Sequence, residues 1–141
     1  MNLMRLLKHR WLDERDARRA LGPGALERIE ARVKASELLH SGEIRVCVEA
    51  GLPLSYLRRD AMARERAVTL FGKLRVWDTE SNNGVLIYLL LAGMSTAFKA
   101  GRFEDGLMQA VDVVDRLLAR HFALREGEVN PNELPDAPLV M

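Results

Sequence analysis

A single cysteine, Cys47, stands among 141 residues. An internal disulfide is thereby excluded, as is a zinc site built on cysteine pairs, and the chain needs no oxidising compartment. Cys47 sits in a hydrophobic run and reads as a small buried apolar residue. Neither sign of charge prevails: 21 basic residues face 20 acidic ones, a net charge of +1. That excludes a globally basic nucleic-acid binder, so no nucleic acid is expected as a partner. Long hydrophobic runs are missing too. The longest, Val85 to Ala92, falls far short of the roughly 20 apolar residues that span a bilayer. The amino-terminal MNLMRLLKHRW is positive but lacks an apolar core and a cleavage site, so it does not read as a signal peptide. A cytoplasmic location is expected. What remains, 48% apolar and 29% charged residues with no repeat, is the composition of one globular domain.

Hydrophobic periodicity organises the chain. Residues 2–20 place Leu3, Leu6, Leu7 and Trp11 at helical spacing beside Arg5, Lys8 and Arg10. This basic amphipathic helix, taken as a unit over 1–21, docks on its own domain or lies on an anionic membrane surface. Gly22-Pro23-Gly24 separates it from a second helix over 25–40, striped by Leu26, Ile29 and Val33 and stopped by Ser41-Gly42. In Glu43–Glu49, Ile44, Val46 and Val48 alternate with Arg45, Cys47 and Glu49, the period of a strand. A helix is expected over 55–72, with Tyr56, Met62, Ala63, Ala67, Leu70 and Phe71 facing the core. A short strand over 74–77 and a polar loop over 78–84 should follow. Asn83-Gly84 reads as a turn in which both residues tolerate positive φ. The consecutive apolar residues from Val85 to Leu91 predict a central strand covered on both faces. Beyond Gly93, a short helical piece over 94–100 ends at Gly101. A cleaner helix then carries Leu107, Ala110, Val111, Val114, Leu117 and Leu118 inward and Asp112, Asp115, Arg116 and Arg120 outward. Residues 123–141 hold three prolines and form an extended tail whose Leu139, Val140 and Met141 tuck against the body. The fold class is α/β: a three-layer α/β/α sandwich with a small mixed sheet flanked by helices.

Candidate chemistry gathers at two places. Asp78, Glu80, Asn82 and Asn83 offer four oxygen-bearing side chains just before the apolar strand. Hard cations such as Ca²⁺ and Mg²⁺ take six or more oxygen ligands, so this loop is a candidate cation site. An Asx-rich turn with no ligand fits the same residues. His40, Glu43 and Arg45 meet where helix gives way to strand, a pairing suited to acid–base work or to satisfying helix-terminal carbonyls. Arg58, Arg59, Arg64, Arg66 and Arg75 suit either a phosphate or a solvated face. The sequence contains no glycine-rich phosphate loop and no serine or cysteine in a recognisable nucleophile setting.

Three segments in order, GEIRVCVEAGLP, RERAVTLFGKLRVWDTESNNGVLIYLLLA and FKAGRFEDGLMQAVDVVDRLLARHF, resemble the TPM domain, in its short bacterial branch. The similarity runs from about Arg19 to the NELPDAP tail. It implies an α/β/α sandwich over 22–122, divalent-cation binding with calcium as the example, and a weak acid-phosphatase activity. Where the family continues past its apolar strand with Asp-Arg, a partner strand and a helix, Leu91-Ala92 passes directly to Gly93-Met94. A strand left without that neighbour exposes an apolar edge and invites self-association. Three functions follow as expectations. The first is a cation-binding domain using Asp78–Asn83, the second a metal-assisted phosphomonoester hydrolase, the third a non-catalytic module for a protein partner or membrane surface.

Overall fold

The computed structural model describes residues 2–92 and 100–141. In chain order the elements are α1 (Leu3–Arg10), α2 (Glu14–Leu21), α3 (Ala25–Glu37), β1 (Glu43–Glu49), α4 (Leu54–Arg58), α5 (Ala63–Lys73), β2 (Gly84–Leu90), α6 (Ala100–His121) and β3 (Leu139–Val140). The strands form an α/β/α sandwich with helices on both faces of the sheet. The sheet of the described residues is wholly parallel rather than mixed, in the order β2-β1-β3. The short piece expected over 94–100 falls almost wholly outside the described residues, as does the junction that follows Ala92.

The central strand is β1, not the more hydrophobic β2. Every residue of β1 is buried, whereas β2 stands at the edge of the described sheet and is half-buried throughout. β1 keeps the alternation read from its sequence. Ile44, Val46 and Val48 face a core with Ala17, Leu21, Ile29 and Val33 from α2 and α3, and with Leu107, Val111 and Leu118 from α6. On the opposite face, Arg45, Cys47 and Glu49 are buried as well. That burial is tolerable because each charge is answered. Arg45 donates to the Ala137 carbonyl at 2.6 Å, and Glu49 takes a bidentate pair from Arg66 of α5 at 3.0 Å plus the Tyr88 hydroxyl at 2.6 Å. Burial pushes the Cys47 thiol up to about 11, so it rests protonated.

Several boundaries differ from the periodicity. The helix expected over 2–20 breaks at Trp11–Asp13, because Asp13 and Asp16 exchange side-chain bonds with each other's backbone N–H groups and start α2 afresh. The helix over 55–72 splits at Asp60, which takes φ +51°, and Met62 is exposed at the start of α5 rather than in the core. Residues 74–77 form turns, not a strand, since Leu74 and Val76 donate back to Leu70 and Phe71. α6 runs through Gly101 and Gly106, whose intrinsic cost of about 1 kcal/mol each is outweighed by packing on α2 and α3. Within α6, Leu117 is exposed and Asp115 buried, the reverse of the expectation. In the loop before β2 the residue with positive φ is Asn82. Gly84 serves a different need: a Cβ there would sit 2.0 Å from the Val76 carbonyl oxygen.

Candidate functional site

The C-terminal segment covers a polar interior at the start of β1. Its path is fixed by main-chain bonds from Ser41 to Phe122 and from Leu124 to Leu39, and by the Asn130 amide, which donates to the carbonyls of His40 (2.7 Å) and Gly42 (2.9 Å). It then crosses the start of β1, where the Glu133 N–H donates to Glu43 Oε1 at 3.1 Å. Leu134 is buried beyond it, and Leu139 and Val140 pair with Cys47 and Val48 as β3. The expected tuck of Leu139–Met141 is thus a parallel strand, closed by bonds between Met141 and both Val48 and Ala50.

Three carboxyl groups meet under this crossing. Glu37, at the end of α3, accepts from the Ile44 N–H at 3.1 Å. Burial pushes its carboxyl up to about 9, and a hydrogen bond to Asp136 with the charges of Glu43 and Asp136 act in the same direction against the Ile44 bond. Glu43 is fully buried and its carboxyl is also pushed up by burial, with the Glu133 and Leu134 N–H groups opposing. One oxygen of each of two carboxyls, Glu43 Oε2 and Asp136 Oδ1, is buried without a hydrogen-bond partner. A cleft of about 410 Å³ opens beside them, lined by Lys34, Glu37, Leu38, Asn130, Asn132 and Asp136.

The residues expected from sequence divide. Glu43 belongs to this cluster. Asn83 is a buried brace: its Nδ2 donates to Ser41 Oγ at 3.1 Å and its N–H to Thr79 Oγ1 at 3.1 Å. Asp78 is exposed and paired with Arg75, and Asn82 is exposed at the turn. Glu80 is tied to the tail through its backbone, donating to both Glu133 carboxylate oxygens at 3.1 Å. The four side chains do not converge on one point. They border the amino-terminal ends of the strands, the end at which Glu43 also lies.

His40 and Arg45 likewise leave Glu43. Arg45 points to Ala137, and His40 turns into the α3–α6 interface, where its Nε2 lies 2.7 Å from Ser36 Oγ. Ser36 donates its single hydroxyl proton to Asp115 Oδ1 at 2.8 Å, so the His40 Nε2 must carry the hydrogen between them. Burial holds the His40 imidazole below its ordinary pKa against the pull of Asp115. Burial raises the Asp115 carboxyl, yet Arg32 and Ser36 outweigh it and keep it ionised. Ser, His and Asp are neighbours here without forming a nucleophilic triad, because this imidazole donates to the serine and cannot take its proton. The group is a buried brace. His9 is likewise structural: its Nδ1 accepts from the Leu52 N–H at 2.8 Å.

Among the described residues no three Asp, Glu, His or Cys side chains form a ready-made metal cage. No helix among them is long and apolar enough to cross a membrane.

Fold and sheet order define the class, an α/β/α sandwich of parallel strands. A solved structure shares it: the NMR structure of BA42 protein from the psychrophilic bacterium Bizionia argentinensis has a TM-score of 0.66 and 23% sequence identity, over 84% of this chain and 94% of that one. No family model matches the chain, and no curated protein matches it.

Proposed function

We propose that the protein binds a hard divalent cation, Ca²⁺ or Mg²⁺, where the NELPD segment crosses Glu37 and Glu43, and that the ion fastens the tail to the sheet. The observation that carries this reading is the pair of buried carboxylate oxygens without a donor, Glu43 Oε2 and Asp136 Oδ1, beside a Glu37 carboxyl pushed up to about 9. A buried anionic oxygen costs free energy unless a proton, a donor or a metal satisfies it. Oxygen-only donors suit hard cations, and the carboxyl groups of Glu37, Glu43 and Asp136 supply them. Since the three carboxyls do not yet form a cage, binding draws them together and displaces the Glu37 proton.

The resemblance to the TPM domain supports the same chemistry. Relative to the sequence expectation, the ion moves from Asp78–Asn83 to the tail crossing, with that loop on its rim through the Glu80–Glu133 contact. The hydrolase reading draws on the resemblance alone and gains no residue from the geometry.

Calorimetric titration of the full chain with CaCl₂ and MgCl₂ tests the proposal. Saturable binding is expected, accompanied by proton uptake into the buffer. Glu43→Gln should abolish it and Asp78→Ala should leave it unchanged. Absence of binding, or binding lost with Asp78→Ala and kept with Glu43→Gln, would overturn the assignment.

A further inference from the structure

Helix α1 is mounted with its apolar side outward. It packs through Leu6, which joins the small cluster of Leu52, Tyr56, Leu57 and Ala61, and through the buried His9. Its other apolar residues face away from the protein. Leu3 is 65% exposed, Met4 70%, Leu7 50% and Trp11, its C-cap, 77%. At helical spacing these four fall within about 100° of arc, the width of a buried stripe in an ordinary amphipathic helix. Arg10 borders the arc on one side and Lys8 on the other, and the helix contains no acidic residue. An outward stripe of this size requires something to cover it.

We infer that α1 is an interfacial anchor for a membrane surface rich in anionic phospholipid. Charge and shape both favour this occupant. Bases flanking an apolar arc are the arrangement that lies in the headgroup region, cations among phosphates and Leu, Met and Trp side chains in the acyl boundary. Tryptophan prefers that depth because its ring is apolar and its N–H polar. Beside the helix, a cleft of about 550 Å³ is lined by Arg10 and Arg58 together with Leu6, Leu12, Leu52 and Leu54, a mixture of cations and apolar side chains that suits a lipid phosphate and its acyl chain. Exposed Leu54 and Met62 extend the apolar surface around α1. The helix keeps its orientation without lipid, since Arg5 donates to the Ala61 carbonyl and pairs with Asp60.

The full chain, in chelator so that no cation bridges protein to lipid, is mixed with phosphatidylcholine vesicles with and without phosphatidylglycerol. Co-sedimentation and Trp11 fluorescence in a Trp77→Phe background are the readouts. Binding with a blue shift is expected on the anionic vesicles, weakened by salt and falling about fivefold for each of Lys8→Ala and Arg10→Ala. Leu7→Glu should lower it about tenfold or more while leaving the melting temperature unchanged, because the side chain touches water in the free protein. No sedimentation with anionic vesicles at low salt, or equal binding by Leu7→Glu, overturns the inference. So does a concentration-dependent dimer that Leu7→Glu dissolves, which would assign the stripe to a second copy of the chain.

Discussion

The main-chain N–H of Glu133 donates to the fully buried carboxylate of Glu43 at 3.1 Å, joining residues ninety positions apart. One oxygen of Glu43 is satisfied by this bond and the other has no donor. The end of the chain therefore rests on a half-satisfied acid at the first residue of the central strand, and the stability of that contact is tied to whatever neutralises it.

The pH dependence of folding follows from Glu37. Its carboxyl titrates near 9 when folded and near 4.5 when unfolded, so the folded state binds the extra proton between those values. Stability should fall as pH rises from about 4.5 to 9. Glu37→Gln keeps the acceptor for the Ile44 N–H and removes the ionisation. It should stabilise the protein by about 1–3 kcal/mol at pH 7 and by nearly nothing at pH 4, as measured by urea denaturation at both pH values. A constant difference between the two pH values would contradict the assignment.

Glu49 and Arg66 form a buried bidentate pair across β1 and α5. Arg66→Met leaves the Glu49 charge buried with the Tyr88 hydroxyl as its remaining named donor. A loss of about 3–5 kcal/mol is expected, with the double variant Glu49→Met/Arg66→Met recovering most of it. Thermal melts of the three proteins check this.

Ser36→Ala removes the link between Asp115 and His40 in the α3–α6 interface. It should cost about 1–3 kcal/mol, since two buried polar groups lose a partner. Amide exchange should quicken in α3 and α6 together, and leave β1 protected.

Val140→Asp places a charge in β3, where Val140 is buried against Val48. The tail should detach, with limited proteolysis cutting within 123–141 far faster than in the parent chain. Cation affinity should fall with it, because Asp136 and Glu133 lie on the same segment.

Much of this fold was legible in local pattern. Ile44, Val46 and Val48 alternate as a strand should, and Leu107, Val111 and Leu118 keep the helical period that packs them on β1. The identity of the central strand was not legible, because β1 owes its burial to partners far along the chain. Arg45 and Glu49 look like solvent-facing residues of a strand until Ala137, Arg66 and Tyr88 arrive to satisfy them. Conversely, β2 is uniformly apolar yet stands at the edge of the described sheet. The break at Asp13 did have a local signal, the Asp13–Asp16 spacing of a reciprocal cap. The candidate site was half visible. Glu43 stood out by sequence, but Glu37 and Asp136 did not, one lying in a helix and the other in an extended tail. Both acquire meaning once the tail folds back, a contact between residues roughly ninety positions apart that no local period records.

The central claim is most directly tested by following backbone amides of the full chain by NMR as Ca²⁺ is added at pH 8. The account predicts saturable shifts at Ile44, Glu133 and Leu134, the N–H groups that hold Glu37 and Glu43, with smaller changes at Glu80. Flat spectra, or shifts confined to residues 78–84 while Ile44 and Glu133 stay fixed, would contradict it.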